Sequence, residues 1–146
     1  MSAESAFELD APIPTSIRVL TLDYNFIGKV GADALSQILA GSRQLKYLSL
    51  RRCMLEGRDI HRFCAALGVN KHLKVLRLAS NKLGDEGIDH LSEALGVNTS
   101  LEHLDLFDVG FSNDGARFLE RALRRSTLLL KTLRLSNTRV TVDHVE

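Results

Sequence analysis

The phrase Leu-x-x-Leu-x-Leu returns at a fixed interval along this chain, and that interval restricts the possible folds more than any other property. It opens at Leu45, Leu73 and Leu101, with Ile17 in the same role before them and Leu130 after. The starts at 17, 45, 73 and 101 are 28 residues apart, and the last step is 29. The phase extends beyond the leucines: Leu35, Phe63, Leu91 and Leu119 form one column, and Leu39, Leu67, Leu95 and Leu123 another. Ala66-Leu67-Gly68-Val69-Asn70 recurs as Ala94-Leu95-Gly96-Val97-Asn98. A unit of this size cannot bury its apolar face alone, so its neighbours must stack on it.

Within each unit the periodicity changes. Alternation at Val75-Leu76-Arg77-Leu78 predicts a short strand, and Ile88, Leu91, Ala94 and Leu95 then fall at helical spacing. Gly84-Asp85-Glu86-Gly87 places carboxylates in the first helical turn, where they complement free backbone N–H groups. The expected fold is α/β: a right-handed solenoid of about five units curved into a horseshoe, with parallel strands on the concave face and helices on the convex face. Residues 17–146 form the repeat domain. Residues 1–16 are an N-terminal cap or tail, in which Phe7, Leu9 and Ile13 supply a plug and Pro12 and Pro14 discourage strand addition.

Asn25-Phe26-Ile27 and Ser80-Asn81-Lys82-Leu83-Gly84-Asp85-Glu86-Gly87 resemble the ribonuclease-inhibitor-like leucine-rich repeats, and the likeness runs from Ile17 to about Val140. The resemblance implies the horseshoe and leaves function open. Its ladder position is occupied by Asn25, Cys53, Asn81, Val109 and Thr138. An asparagine there satisfies backbone groups with its amide; cysteine does so weakly and valine not at all. Val109-Gly110 is therefore expected to mark a locally distorted loop.

Charge does not name a partner, since 19 Lys and Arg stand against 18 Asp and Glu. Two cysteines, Cys53 and Cys64, make no disulfide framework, and the start Met1-Ser2-Ala3-Glu4 lacks a basic segment leading into an apolar run. The chain reads as intracellular and cytoplasmic. Cys64 falls on an apolar helical face and reads as core. His61, His72, His90, His103 and His144 form no metal-ligand pair, and no Gly-rich phosphate loop or nucleophile elbow occurs. We expect no catalysis, no cofactor and no metal.

Alternation lets the concave face be read as columns. They run Val19, Tyr47, Val75, His103, Thr132; then Thr21, Ser49, Arg77, Asp105, Arg134; then Asp23, Arg51, Ala79, Phe107, Ser136, with Tyr24, Arg52, Ser80, Asp108 and Asn137 alongside. Tyr24, Tyr47, Arg51, Arg52, Arg77, His103, Asp105, Phe107 and Arg134 are the candidate partner-binding residues, rich in the types that dominate interface energies. The competing reading is an ordinary solvated face. Arg117, Arg121, Arg124 and Arg125 make a basic stripe better read as a solvated helix end, and Asp23, Asp105 and Asp108 make the concave face unsuited to nucleic acid.

After Leu133 and Leu135 only 11 residues follow, ending Thr141-Val142-Asp143-His144-Val145-Glu146. This implies a fragment of a longer array, or an open edge at Leu130–Val140 that docks on a partner or a second copy. The expected role is a non-enzymatic protein-interaction module or assembly subunit with an unknown protein partner. The alternative is a regulatory repeat protein, either a GTPase-activator-like one or the repeat part of a nucleotide-binding sensor.

Overall fold

The computed structural model describes residues 16–127 and 130–135. Five three-residue strands, β1 (Val19–Thr21), β2 (Tyr47–Ser49), β3 (Val75–Arg77), β4 (His103–Asp105) and β5 (Thr132–Arg134), form one sheet in chain order. Every pair is parallel. Val19, Tyr47, Val75, His103 and Thr132 lie side by side, as do Thr21, Ser49, Arg77, Asp105 and Arg134. Four helices, α1 (Gly28–Gly41), α2 (His61–Val69), α3 (Gly84–Val97) and α4 (Asn113–Arg125), pack each on the next. The chain is thus α/β, as the change of periodicity predicts.

The core fills the space between sheet and helices. Leu48, Leu76 and Leu104 from the strands and Leu35, Phe63, Leu91 and Leu119 from the helices are all at most 3% exposed. Each buried side chain of this kind contributes roughly 1.5–3 kcal/mol. The layers meet closely between the second and third units. A Cβ on Gly57 would strike the Leu83 carbonyl and come within 2.6 Å of the Gly87 nitrogen, so only glycine fits.

Two sets of polar side chains tie the units together. At the turns from helix back to strand, Asn98 donates to the carbonyls of Leu67 and Asn70 at 2.7 and 3.0 Å and accepts from the N–H groups of Ser100 and Leu101. Asn70 repeats this pattern with Leu39, Ser42, His72 and Leu73. Ser42 and Ser126 fill the flanking rungs with hydroxyls. This ladder was not anticipated, although the recurring Ala-Leu-Gly-Val-Asn segment carries its signature.

At the exits from the strands lies the expected ladder. Asn81 donates to the carbonyls of Leu50 and Leu78 and accepts from the N–H groups of Cys53 and Leu55. Cys53 replaces the amide with its thiol, which lies 3.2 Å from the Leu22 carbonyl oxygen. Burial pushes that thiol up to about 11.

Val109-Gly110 is not a single distorted spot. Gly110 is left-handed at φ 77°, and Met54, at the same position of the second unit, is left-handed at φ 55°. The first and third units instead place the left-handed residue at Gly28 and Gly84, both at φ 59°. The loop has two alternating forms: an asparagine rung accompanies one, and a buried Cys53 or Val109 the other. Phe7, Leu9, Ile13, Pro12, Pro14, Ser136, Asn137, Thr138 and the stretch from Arg139 to Glu146 lie outside the described residues.

Asp85 stands in the first turn of α3, as its local sequence predicts, and also reaches the next unit. Its carboxylate accepts from the backbone N–H of Ser112 at 2.7 Å, from the Ser112 hydroxyl at 2.6 Å and from the Gly115 N–H at 3.0 Å. It therefore caps the following helix, α4, through the stacking of units. A side chain at Gly115 would collide with it.

Candidate interaction surface

Helices cover one face of the sheet, and strand alternation turns the residues on either side of the core leucines toward the other. On that open face the Arg77 guanidinium is the centre. It donates to the Tyr47 hydroxyl at 3.2 Å and lies 3.5 Å from an Asp105 carboxylate oxygen. The Tyr47 hydrogen bond, then the Asp105 charge, reinforces the cation and raises the Arg77 pKa. Arg134 approaches the same Asp105 oxygen at 3.8 Å and stacks over the Phe107 ring at 4.7 Å. His103 meets the Thr132 hydroxyl at 2.7 Å. A hollow of about 330 Å³ lies over β3, β4 and β5, bordered by Arg77, His103, Asp105, Thr132 and Arg134.

The nine candidate residues separate into three groups. Arg77, His103, Asp105 and Arg134 border the hollow, with Tyr47 bonded to Arg77 and Phe107 stacked with Arg134. Arg51 lies toward the first strand, 3.7 Å from Asp23, whose other oxygen accepts the Ser49 hydroxyl and the Arg51 N–H. Tyr24 and Arg52 stand on the rim, with the guanidinium 5.7 Å from the ring centroid. Both are left-handed, at φ 63° and 50°, as are Ser80 and Asp108 in the same column. Asp23 and Asp105 do not make the face acidic. Each is neutralised by an arginine, and each accepts a backbone N–H where the chain leaves its strand.

The thiols do not contribute to a reactive site. Cys53 and Cys64 are both buried and free, and burial, then the charge of Glu93, raises the Cys64 pKa as well. Among the described residues no group of three or more His, Cys, Asp or Glu is placed to hold a metal ion. No described helix is long and apolar enough to cross a membrane.

Residues 69–92 and 97–119 match the leucine-rich-repeat family. The fold resembles that of the tropomodulin C-terminal domain of Caenorhabditis elegans, with a TM-score of 0.70 and 17% identity over 97% of this chain and 83% of that one. It also resembles leiomodin-1 actin-binding site 2, with a TM-score of 0.66 and 19% identity over 84% of this chain and 70% of that one. No curated protein matches the sequence. At such identities the likeness concerns the fold, and the repeats' surfaces must be read from their own residues.

Proposed function

We propose that this chain is a non-enzymatic protein-interaction module whose open sheet face receives the partner. The network of Tyr47, Arg77, Asp105, Arg134 and Phe107 around a shallow hollow carries this reading. Aromatic and arginine side chains held by each other lose little conformational freedom on binding, and such anchors dominate interface energies. The nine residues Tyr24, Tyr47, Arg51, Arg52, Arg77, His103, Asp105, Phe107 and Arg134 form the proposed contact set. The leiomodin-1 domain is an actin-binding site, which makes actin the first protein to test.

The reading includes a right-handed horseshoe of ribonuclease-inhibitor-like units starting at 17, 45, 73, 101 and 130, within a repeat domain at 17–146 preceded by a cap at 1–16. The constant register from β1 to β5 supports it. A cytoplasmic site of action fits two cysteines that stay unpaired. Self-association through Leu130–Val140 is part of the proposal. Leu130, Leu133 and Leu135 are only partly buried there, and light scattering at rising concentration tests it.

The deciding experiment captures partners from a cell extract, and purified actin in parallel, with the native chain and with an Arg77→Glu/Phe107→Ala variant. The variant should lose a partner that the native chain retains. Equal capture by both would remove the open face from the reading.

A further inference from the structure

Charge is divided between the two ends of the strands. Among the described residues, the turns from helix to strand carry Arg18, Arg43, Lys46, Lys71, Lys74 and Lys131 against one carboxylate, Glu102. The loops from strand to helix mix Arg51, Arg52, Arg58 and Lys82 with Asp23, Glu56, Asp59 and Asp108.

The backbone stacks these cations. The N–H groups of Lys46 and Tyr47 both donate to the Arg18 carbonyl at 2.8 and 3.0 Å. Those of Lys74 and Val75 donate in the same way to the Lys46 carbonyl at 2.9 and 3.0 Å. Adjacent strands lie about 4.8 Å apart, so Arg18, Lys46 and Lys74 form a row at that interval. Arg43 and Lys71 make a second row. Each follows a ladder residue: Asn70 is bonded to backbone on both sides of the turn, and the Ser42 hydroxyl accepts the Leu45 N–H.

Like charges this close repel, and among the described residues Glu102, next to Lys74 in the row, is the one carboxylate these turns set against them. Arg18, Arg43, Lys46 and Lys71 are exposed, and none pairs with a described acid. Glu102 is already committed. The Lys131 ammonium hydrogen-bonds it at 2.9 Å and, with Lys74 and His103 nearby, holds its carboxyl below the usual carboxylate range. Val69 and Val97, 70% and 66% exposed, immediately precede Asn70 and Asn98 and so place apolar surface at the same turns.

We propose that this ridge binds an acidic polypeptide segment with interspersed apolar residues, laid across the starting ends of the strands. A carboxylate-bearing chain supplies the missing countercharge and covers the valines. Nucleic acid fits less well, because these turns hold no Phe, Tyr or Trp on which bases could stack. The ridge shares no side chain with the network of the open face, so the two surfaces can be tested separately.

The test uses the whole chain and a labelled peptide of repeating Glu-Glu-Leu, read by fluorescence anisotropy. Binding should weaken as salt rises. Lys46→Glu/Lys74→Glu should weaken it about tenfold or more, since each reversal turns an attraction into a repulsion. The milder Arg43→Gln/Lys71→Gln should weaken it less while leaving the circular dichroism and melting curve unchanged. Arg77→Glu/Phe107→Ala on the open face and Arg117→Glu/Arg121→Glu on α4 should both bind as the native chain does. Equal peptide binding by native chain and ridge variants would overturn the proposal. So would tighter binding of an equally charged single-stranded oligonucleotide or of phosphatidylserine vesicles. Salt-sensitive self-association that the ridge variants abolish would assign the ridge to a second copy instead.

Discussion

From helix back to strand, each unit turns in one way, with Asn70, Asn98 and Ser126 donating to backbone carbonyls of the preceding unit and the Ser42 hydroxyl accepting the Leu45 N–H. From strand out to helix, the units alternate between two loops, and the ladder residues Asn25, Cys53, Asn81 and Val109 differ accordingly. The reason lies in what each connection must span. The return turn is short and nearly identical in every unit, so one buried amide satisfies it wherever it occurs. The outgoing loop must also reach helices that begin at different places, from Gly28 and Gly84 to His61 and Asn113, and its polar groups bond both within the loop and to the neighbouring unit. A uniform return turn leaves its outward positions without structural duties, and there the unbalanced cations collect.

The largest effects should fall on the buried rungs. Asn98→Ala strands two N–H groups and two carbonyls in a site 1% exposed, and should cost about 3 kcal/mol in denaturant unfolding. Asn81→Ala should cost about as much, and the exposed Asn25→Ala less than about 1 kcal/mol. Similar losses at Asn25 and Asn98 would break the comparison.

The thiol that substitutes for an amide should show itself through pH. Cys53 rises from 9.0 to about 11 on folding, chiefly because burial disfavours the thiolate. A raised folded value means that the contribution is fully present below pH 9 and is lost as pH climbs toward 11. The native state should weaken in that window by about 1 kcal/mol per pH unit more than a Cys53→Ala chain does, as followed by thermal melts. A thiol reagent at pH 8 should label the native chain only when denaturant is added.

Asp85→Ala sharpens the contrast from the loop side. It removes the cap of α4 across units and should cost about 1–2 kcal/mol, with exchange protection lost first at Asn113–Arg117. The smallest effect belongs to the left-handed column. Ser80→Gly relieves an unfavourable φ of 59° at the expense of a looser unfolded chain, and should shift stability by no more than about 1 kcal/mol in either direction.

Much of the fold was legible before any coordinates. The spacing of Leu45, Leu73 and Leu101 dictates that Leu48, Leu76 and Leu104 become neighbours, because equal covalent lengths between equivalent strands leave one register that buries every leucine. The columns of the open face follow from the same alternation. Pairing within the columns did not. Whether Arg77 meets Asp105, whether Asp23 turns to Arg51 and whether Asp85 caps a helix not its own depend on distances between residues 26 to 30 positions apart. No local pattern encodes those distances. The repeating length set which residues would be neighbours; stacking alone decided which neighbours would bond, since that depends on rotamers and loop paths chosen only once the units pack.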